Sequence, residues 1–430
     1  MEAWVNPGSS TTLHGQSTDG AGGQFGNNLF VVFPLHGVAL GSGSQNAGAG
    51  FSVGTNGVCV FEHGDSYIPV LLSWSGTISG WTHVSVVYTN KQPSLYVNGI
   101  LVATGLTSGR TNVFASSSEI GGGAYGHFNG SIDEVRIWNS SLTQSEIRDR
   151  MCRKITSSDA LFDNLVTYYN FDESTGNTVF DGTTNEINGS LANGPTRITS
   201  GAAIGNSSSH NYVSTGFPTT NLTTNGQDNL AVSLTSGTFT GEAGTHIYAV
   251  SEKPNTESGI ENPGSNDRYF GVFHAGISNP QYTASYHYSG NSFVTTGNEG
   301  QLGLFKRNDN TGTTWTTANA TLNTTANTLT VTGESTEYVL GVGACVPPAI
   351  PTITSGGQTS FCANASLGLV SSSVTGNQWI KDGSDIPGAT SNTLTVTTAG
   401  TYAVRVSQGS CSSTSTNLVL TTKAVPTFTI

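Results

Sequence analysis

The sequence predicts an all-β protein built from consecutive sandwiches, and three observations point to this class. Only 10% of the 430 residues are charged while 55 are Gly, a composition typical of short strands joined by polar turns. The stretch Trp81–Thr89 alternates, which places its apolar side chains on one face of a strand. Asn98-Gly99 then supplies a type I′ turn between two apolar runs. The length allows about three domains of ~150 residues.

Charge and cysteine content exclude several classes of protein. The net charge is −12 and no basic stripe runs along the chain, so nucleic-acid binding is not expected. The five cysteines form no Cys-x-x-Cys pair, which argues against a zinc or thioredoxin-like site. No apolar run approaches ~18 residues, so no segment is expected to insert into a membrane. Met1 begins a predicted strand rather than a signal peptide, and we therefore expect a piece of a longer secreted protein.

The first region, residues 1–153, combines dense strand signals with one predicted helix. The helix lies in SLTQSEIRDRM, where Thr143 and Glu146 have the spacing of a capping box. The stretches EAWVNP, GWTHVSVVYTNKQPSLYVNGILVATG and IGGGAYGHFNGSIDEVRIWNSSLTQSEI together resemble the laminin-G-like domain, a concanavalin A-like jelly roll of secreted bacterial proteins. The resemblance implies a two-sheet sandwich. That family normally has a strand or two before EAWV, and these are missing here. The fold is therefore either incomplete at its edge or completed by another segment.

Two adjacent acids, Asp133 and Glu134, raise the question of catalysis, because the same fold hosts glycoside hydrolases. The hydrolases carry acids two positions apart, which point to one side of a strand and into the sugar cleft. Adjacent acids point to opposite faces, so alternation places Asp133 with Val135 and Ile137, and Glu134 with Arg136. The chain also has no GxSxG, HExxH or P-loop motif, and we expect no enzyme.

Two interpretations of Asp133 stay open. It either accepts backbone N–H bonds as a buried anchor or ligates a structural Ca²⁺, as some members of the fold superfamily do. A second question concerns the Gly-rich loop that precedes it. Tyr125, His127 and Phe128 in that loop could stack on a sugar ring, or the loop could be a tight turn whose rings pack on the sheet.

The second region, residues 160–345, opens with Leu165–Pro195, which resembles the first strand and loop of another laminin-G-like unit. Asp181 and Asn185 belong to an oxygen-rich loop that could help to hold Ca²⁺, as in laminin-G-like relatives. The alternative is that the segment completes the first sheet and brings Asp181 near Asp133. The remainder resembles a β-sandwich module of secreted Bacteroidetes-type proteins, in which Tyr282, Tyr286 and Tyr288 are expected in the core.

The third region, residues 348–423, follows a Pro-rich linker and has strands about every ten residues. It resembles a bacterial immunoglobulin-like or PKD-like module, with Trp379 as the core tryptophan and Tyr402 in a tyrosine corner. Within that resemblance a disulfide between Cys362 and Cys411 is expected. The last residues, 424–430, would begin a linker or another module.

Three functional hypotheses follow. The first is a non-catalytic part of a secreted or cell-surface adhesin, in which the jelly roll binds a glycan, matrix or surface polymer. The second is a structural stalk or filament segment that self-associates in a surface assembly. The third is the accessory region of a secreted hydrolase whose catalytic domain lies outside this sequence. Calcium is the one cofactor considered, as a structural ion.

Overall fold

The computed structural model describes residues 1–35, 45–64, 67–117, 119–224, 228–260, 267–333, 337–342, 348–363, 365–408 and 411–423. The predicted all-β class is confirmed. The chain divides into two compact units: one spans Met1–Val294 with Gly303–Gly341, and the other spans Thr295–Leu302 with Val342–Ile430. The first unit contains two sandwiches and the second contains one.

The first sandwich has two principal sheets that enclose an apolar core. One sheet has the order β13-β12-β1-β6-β7-β8, and the other has the order β2-β3-β4-β5 with β9 on β3. Core side chains such as Val5, Phe51, Val84 and Val135 are fully buried between the sheets. The strands are β1 (Glu2–Pro7), β2 (Phe30–Val32), β3 (Asn46–Gly54), β4 (Gly57–His63), β5 (Val70–Ser75), β6 (Thr82–Thr89), β7 (Gln92–Val97), β8 (Ile100–Thr104), β9 (Asn112–Ala115), β10 (Gly122–Gly123), β11 (Gly126–His127), β12 (Gly130–Trp138), β13 (Leu165–Tyr169), β14 (Thr178–Val179) and β15 (Gly189–Ser190).

Two predictions made from short stretches of sequence are confirmed in this sandwich. Asn98 and Gly99 have φ values of 49° and 72° and join β7 to β8, as a type I′ turn requires. Helix α1 (Gln144–Met151) begins after Thr143, whose side chain and that of Glu146 form the expected capping box. No helix among the described residues is long and apolar enough to cross a membrane.

Strand β13 completes the first sheet, which was predicted to lack one or two strands at its edge. It pairs with β12 antiparallel, with Val135 opposite Tyr169 and Ile137 opposite Thr167. The expectation that this segment fills the missing edge is confirmed. Its assignment to a second module beginning at residue 160 is wrong for this stretch, because its ladder hydrogen bonds and its apolar side chains belong to the jelly roll.

A bulge in β12 changes the face on which Asp133 lies. The register of β12 against β1 slips by one residue beside the pair Trp4–Asp133, and Glu134 at the slip has a φ of 53°. Directly opposite residues share a face, so Asp133 lies with Trp4 on the outer side of the sheet. The expectation that it shares the core face of Val135 and Ile137 is wrong, because the extra residue resets the alternation.

The second sandwich also has two sheets, in the orders β16-β19-β20-β26-β22-β23 and β17-β18-β21-β25-β24. Tyr282 and Tyr338, one from each sheet, join their hydroxyls at 2.7 Å. Tyr286 and Tyr288 are 2% exposed, so the expected tyrosine core is confirmed. The strands are β16 (Ser207–Val213), β17 (Thr219–Thr224), β18 (Asp228–Thr238), β19 (Ala243–Val250), β20 (Tyr269–Ala275), β21 (Ser278–His287), β22 (Leu302–Arg307), β23 (Thr316–Thr317), β24 (Thr321–Asn323), β25 (Thr328–Gly333) and β26 (Glu337–Val342).

The second unit is a sandwich of a three-stranded sheet, β27-β29-β32, and a larger sheet, β28-β35-β33-β30-β31, with β34 on β33. Trp379 is fully buried, and its Nε1 donates to the Ser391 carbonyl at 2.9 Å. The Tyr402 hydroxyl donates to the Thr398 carbonyl at 3.0 Å. The strands are β27 (Ile353–Ser355), β28 (Ser360–Cys362), β29 (Leu367–Ser371), β30 (Asn377–Lys381), β31 (Ser384–Asp385), β32 (Thr393–Val396), β33 (Gly400–Gln408), β34 (Cys411–Thr414) and β35 (Leu418–Lys423).

The expected Cys362–Cys411 disulfide is not formed. Cys362 is a free, exposed cysteine opposite Lys423, whereas Cys411, whose side chain lies outside the described residues, pairs with Gln408 at the far end of the sheet. At about 3.3 Å per residue this register separates them by roughly 30 Å, far beyond the ~4–7 Å between Cα atoms that a disulfide spans. Cys345 falls outside the described residues.

Candidate functional site

A buried cluster of charges lies on the outer face of the first sheet and includes one of the two acids. The Arg136 guanidinium contacts Glu134 at 2.5 Å and Glu2 at 3.5 Å. It also donates to the carbonyls of Arg150, in the last turn of α1, and of Arg153, just beyond the helix. The side chains of Arg136, Glu134 and Glu2 are at most 2% exposed. Glu134 also accepts from the Tyr168 hydroxyl. A carboxylate tied in this way has no access to substrate, so its role is structural.

Electrostatics in this cluster favour the charged form of Glu2, whereas burial raises the pKa of Glu134 in spite of the nearby charge of Arg136. Burial alone would raise the pKa of Glu2, but the contact with His83 and the charge of Arg136 bring it down to about 2. Arg136 is therefore the cation that keeps two buried carboxylates compatible with the fold.

Asp133 lies beside the cluster and is half-buried. Its Oδ1 accepts the Glu134 N–H at 2.9 Å, and burial, together with the charge of Glu134, raises its pKa to about 7. The donor is the next residue of β12 itself and does not belong to a neighbouring loop. Among the described residues, no group of three or more His, Cys, Asp or Glu side chains is arranged to hold a metal ion.

Asp181 anchors its own loop. One oxygen accepts the N–H groups of Tyr168 and Thr183, and the other accepts the Thr183 hydroxyl and the Ile187 N–H. Burial would raise its pKa, but these bonds lower it. Asn185 donates its amide to the carbonyls of Leu165 and Val166, which fixes the loop against β13. Both predicted calcium ligands thus hold loop backbone.

The calcium hypothesis for Asp133, Asp181 and Asn185 has a direct test. Because N–H and O–H donors already occupy both oxygens of Asp181, we expect the melting temperature to stay unchanged on adding CaCl₂ or EDTA. Differential scanning calorimetry checks this. A rise of several degrees with CaCl₂ that EDTA reverses would instead support a structural ion, and Asp181→Asn would then abolish the rise.

The Gly-rich loop folds into the ribbon β10–β11, and its three rings differ in their surroundings. Tyr125 packs near Phe33 and His63, with ring centroids about 6 Å apart. Phe128 packs against the jelly-roll core, and only His127 is exposed. The loop therefore matches the tight-turn alternative, in which the rings serve packing.

A cleft of 320 Å³ opens instead between the two sandwiches of the first unit, and we call it the Trp81 cleft. Its size is at the lower end of the ~300–1,000 Å³ of small-molecule sites. The floor is apolar and buried, and the rim carries polar side chains and the half-exposed Trp81. The lining residues are Trp4, Asn6, Gly80, Trp81, Gly201, Ala203, Tyr248, Val272, Phe273, Asn308, Asp309 and Thr311.

Both sandwiches are fixed against each other around this cleft. Trp4 donates its Nε1 to the Met151 carbonyl at 2.7 Å, and its ring meets Phe273 of the second sandwich edge to face at 5.2 Å. Nearby, Arg148 pairs with Glu242 at 2.6 Å and lies over the Tyr212 ring at 3.7 Å. The cleft is therefore a preformed feature of one compact unit.

One rim segment is the turn Asn308–Thr311, which follows β22. Asp309 accepts the Thr311 N–H through Oδ1 at 2.8 Å. Beneath the turn, Arg307 donates to the Asn310 side chain at 2.8 Å and forms a buried ion pair with Glu337 at 2.6 Å. The turn is thus held from below by a side chain that does not line the cleft.

Gly201 stands between the two sides of the cleft. A Cβ added there would lie 3.0 Å from the Asp309 Oδ2 and 3.0 Å from the Trp81 Cδ1. Because residue 201 has no side chain, the Asp309 carboxylate and the edge of the Trp81 indole both border the same open space. Neither Trp81 nor Asp309 was a predicted site residue, because they are 228 positions apart and meet only through the packing of two sandwiches. The turn-forming sequence NDNTG, residues 308–312, was the one local signal of the rim turn.

Comparison with known proteins bears on the first sandwich. A family model described as the concanavalin A-like lectin/glucanases superfamily matches residues 1–148. Among solved structures, the chain is similar to a "putative carbohydrate binding protein" from Bacteroides ovatus ATCC 8483, with 18% identity and a TM-score of 0.28. That similarity covers 44% of this chain and half of the other protein's length. A search of curated proteins gives no match.

Proposed function

We propose that the first unit is a non-catalytic carbohydrate-binding module and that the Trp81 cleft is its binding site. The observation that carries the proposal is that an aromatic ring and several polar side chains converge on a preformed concavity. The superfamily match over residues 1–148, which includes lectins, supports the same class of ligand.

Sugar recognition requires an apolar face and hydrogen-bonding groups of both kinds, and the cleft has them. The half-exposed Trp81 offers a ring for the C–H face of a pyranose, and buried Trp4 and Tyr248 close the floor. The amides of Asn6 and Asn308 both donate and accept, which suits the hydroxyl groups of a sugar.

A binding role fits the carboxylates better than a hydrolytic one. Glycoside hydrolysis uses two carboxyl groups roughly 5–10 Å apart across the scissile bond. Asp309 is the one carboxylate that lines the described cleft, and the buried Glu134 is bound by Arg136 and Tyr168.

The setting we propose is a secreted or cell-surface protein in which the second unit acts as a spacer. The buried Trp379 and the bond from Tyr402 to Thr398 support an immunoglobulin-like assignment for that unit. A matrix or surface polymer would then meet the Trp81 cleft. The stalk hypothesis predicts no ligand for this cleft, and the experiment below separates it from binding. The accessory-region hypothesis is tested by the sequence that flanks these residues in the full protein.

Replacing Trp81 by Ala tests the site. Glycan-array hits of the whole chain, measured again by titration calorimetry, are expected to bind Trp81→Ala at least about tenfold more weakly, because a central tryptophan commonly contributes more than ~1.4 kcal/mol. His127→Ala and Phe25→Ala, which replace exposed rings elsewhere in the jelly roll, should bind like the wild type. If His127→Ala loses binding while Trp81→Ala keeps it, the site is the β10–β11 ribbon. A chain with no glycan ligand would contradict the proposal.

A further inference from the structure

The charge lining the Trp81 cleft bears on which sugars it could hold. Among the described residues that line the cleft, Asp309 is the one acidic side chain, and none is a Lys, Arg or His. Tyr248 on the floor stays neutral because burial raises its pKa well above the usual range. The cleft therefore presents a single negative charge without a lining cation to receive an anionic ligand.

Arg307, which directly precedes the rim turn, is engaged by other groups. Its Nε contacts Glu337 at 2.6 Å and both side chains are at most 2% exposed. Its Nη2 donates to Asn310 and its guanidinium lies over the Trp315 ring at 4.4 Å. A buried guanidinium with a carboxylate partner cannot turn toward a ligand in the cleft without leaving Glu337 unpaired.

Asp309 is oriented by its own turn. The Oδ1 is engaged by the N–H and hydroxyl of Thr311, which leaves Oδ2 as the atom on the side of Gly201 and Trp81. A carboxylate oxygen accepts hydroxyl hydrogens strongly, because hydrogen bonds to charged groups are shorter and stronger than neutral ones. The same oxygen repels a uronate or sialate carboxylate brought against it.

We propose that the Trp81 cleft selects uncharged sugar residues and rejects acidic ones, with Asp309 as the residue that sets this specificity. The inference rests on the proposed function of the cleft. A neutral hexose would place hydroxyls on Asp309 and on the amides of Asn6 and Asn308 while its ring lies against Trp81. The ligand class is thus a neutral polysaccharide or a neutral glycan terminus.

The test compares matched pairs of oligosaccharides that end in a hexose or in the corresponding hexuronate. The wild type is expected to bind the hexose form at least about tenfold more tightly. Asp309→Asn keeps an acceptor for Thr311 and removes the charge, so the ratio should fall to within about threefold. Asp385→Asn, which changes an exposed carboxylate of the second unit, should leave the ratio unchanged.

A second measurement needs no variant. Raising the salt concentration shortens the range of charge repulsion, so the preference of the wild type for the hexose form should decrease. Binding that requires Trp81 but is equal for both forms, or stronger for the uronate, would overturn the inference alone. If Trp81→Ala leaves the affinity unchanged, or if no sugar binds, the proposed function is overturned and the inference with it.

Discussion

Arg136→Met is expected to lower the free energy of unfolding of the first unit by about 3–5 kcal/mol, the usual cost of removing one partner from a buried ion pair. The change leaves Glu2 and Glu134 buried without their cation, and the carbonyls of Arg150 and Arg153 lose a donor. Urea unfolding followed by tryptophan fluorescence measures the difference.

The matched control is Lys253→Met, which removes an equally cationic side chain from a pair with Glu257 at 3.0 Å. Lys253 is 62% exposed, so this loss should cost at most ~1 kcal/mol. Equal effects of the two variants would show that the Arg136 cluster contributes no more than a surface pair.

Arg307→Met is expected to have an effect of similar size, about 3–5 kcal/mol, because it leaves Glu337 buried and unpaired. It should also weaken sugar binding by the folded protein, since the turn that carries Asp309 loses its support at Asn310. Arg307 is a positioning residue and does not line the cleft. Calorimetric titration below the melting temperature, beside urea unfolding, measures both effects.

Two controls separate the effects on stability and binding. Arg405→Met breaks a half-exposed pair with Asp385 in the second unit and should change neither quantity by much. Arg136→Met should reduce stability while the folded fraction keeps its affinity. If Arg307→Met binds sugar as tightly as the wild type, the rim turn does not depend on Arg307.

Local signals in the sequence predicted local structure well. The Asn98-Gly99 turn and the Thr143 capping box are each specified by residues next to each other in the chain, and both form. The tyrosines of β21 were also correctly placed in the core, because the strand pairs without a register shift from Tyr282 to His287 and alternation holds there.

Features that depend on pairing between distant segments were predicted poorly. Alternation assigned Asp133 to the wrong face of the sheet, because the bulge beside it is seen only in the pairing with β1. The prediction of a disulfide at Cys362 was wrong, because the spacing of cysteines along the sequence does not give the register in which β28 pairs. The Trp81 cleft was not anticipated, since its two sides come from different sandwiches.

Strand β13 has a practical consequence for anyone shortening this protein. A fragment that ends near residue 148, where the family match stops, would remove the strand that covers β12. The sheet would then end in a row of unpaired N–H and C=O groups next to apolar side chains, and such an open edge is a template for strand pairing between molecules. The stretch that resembles the start of a new module thus protects the preceding one from aggregation.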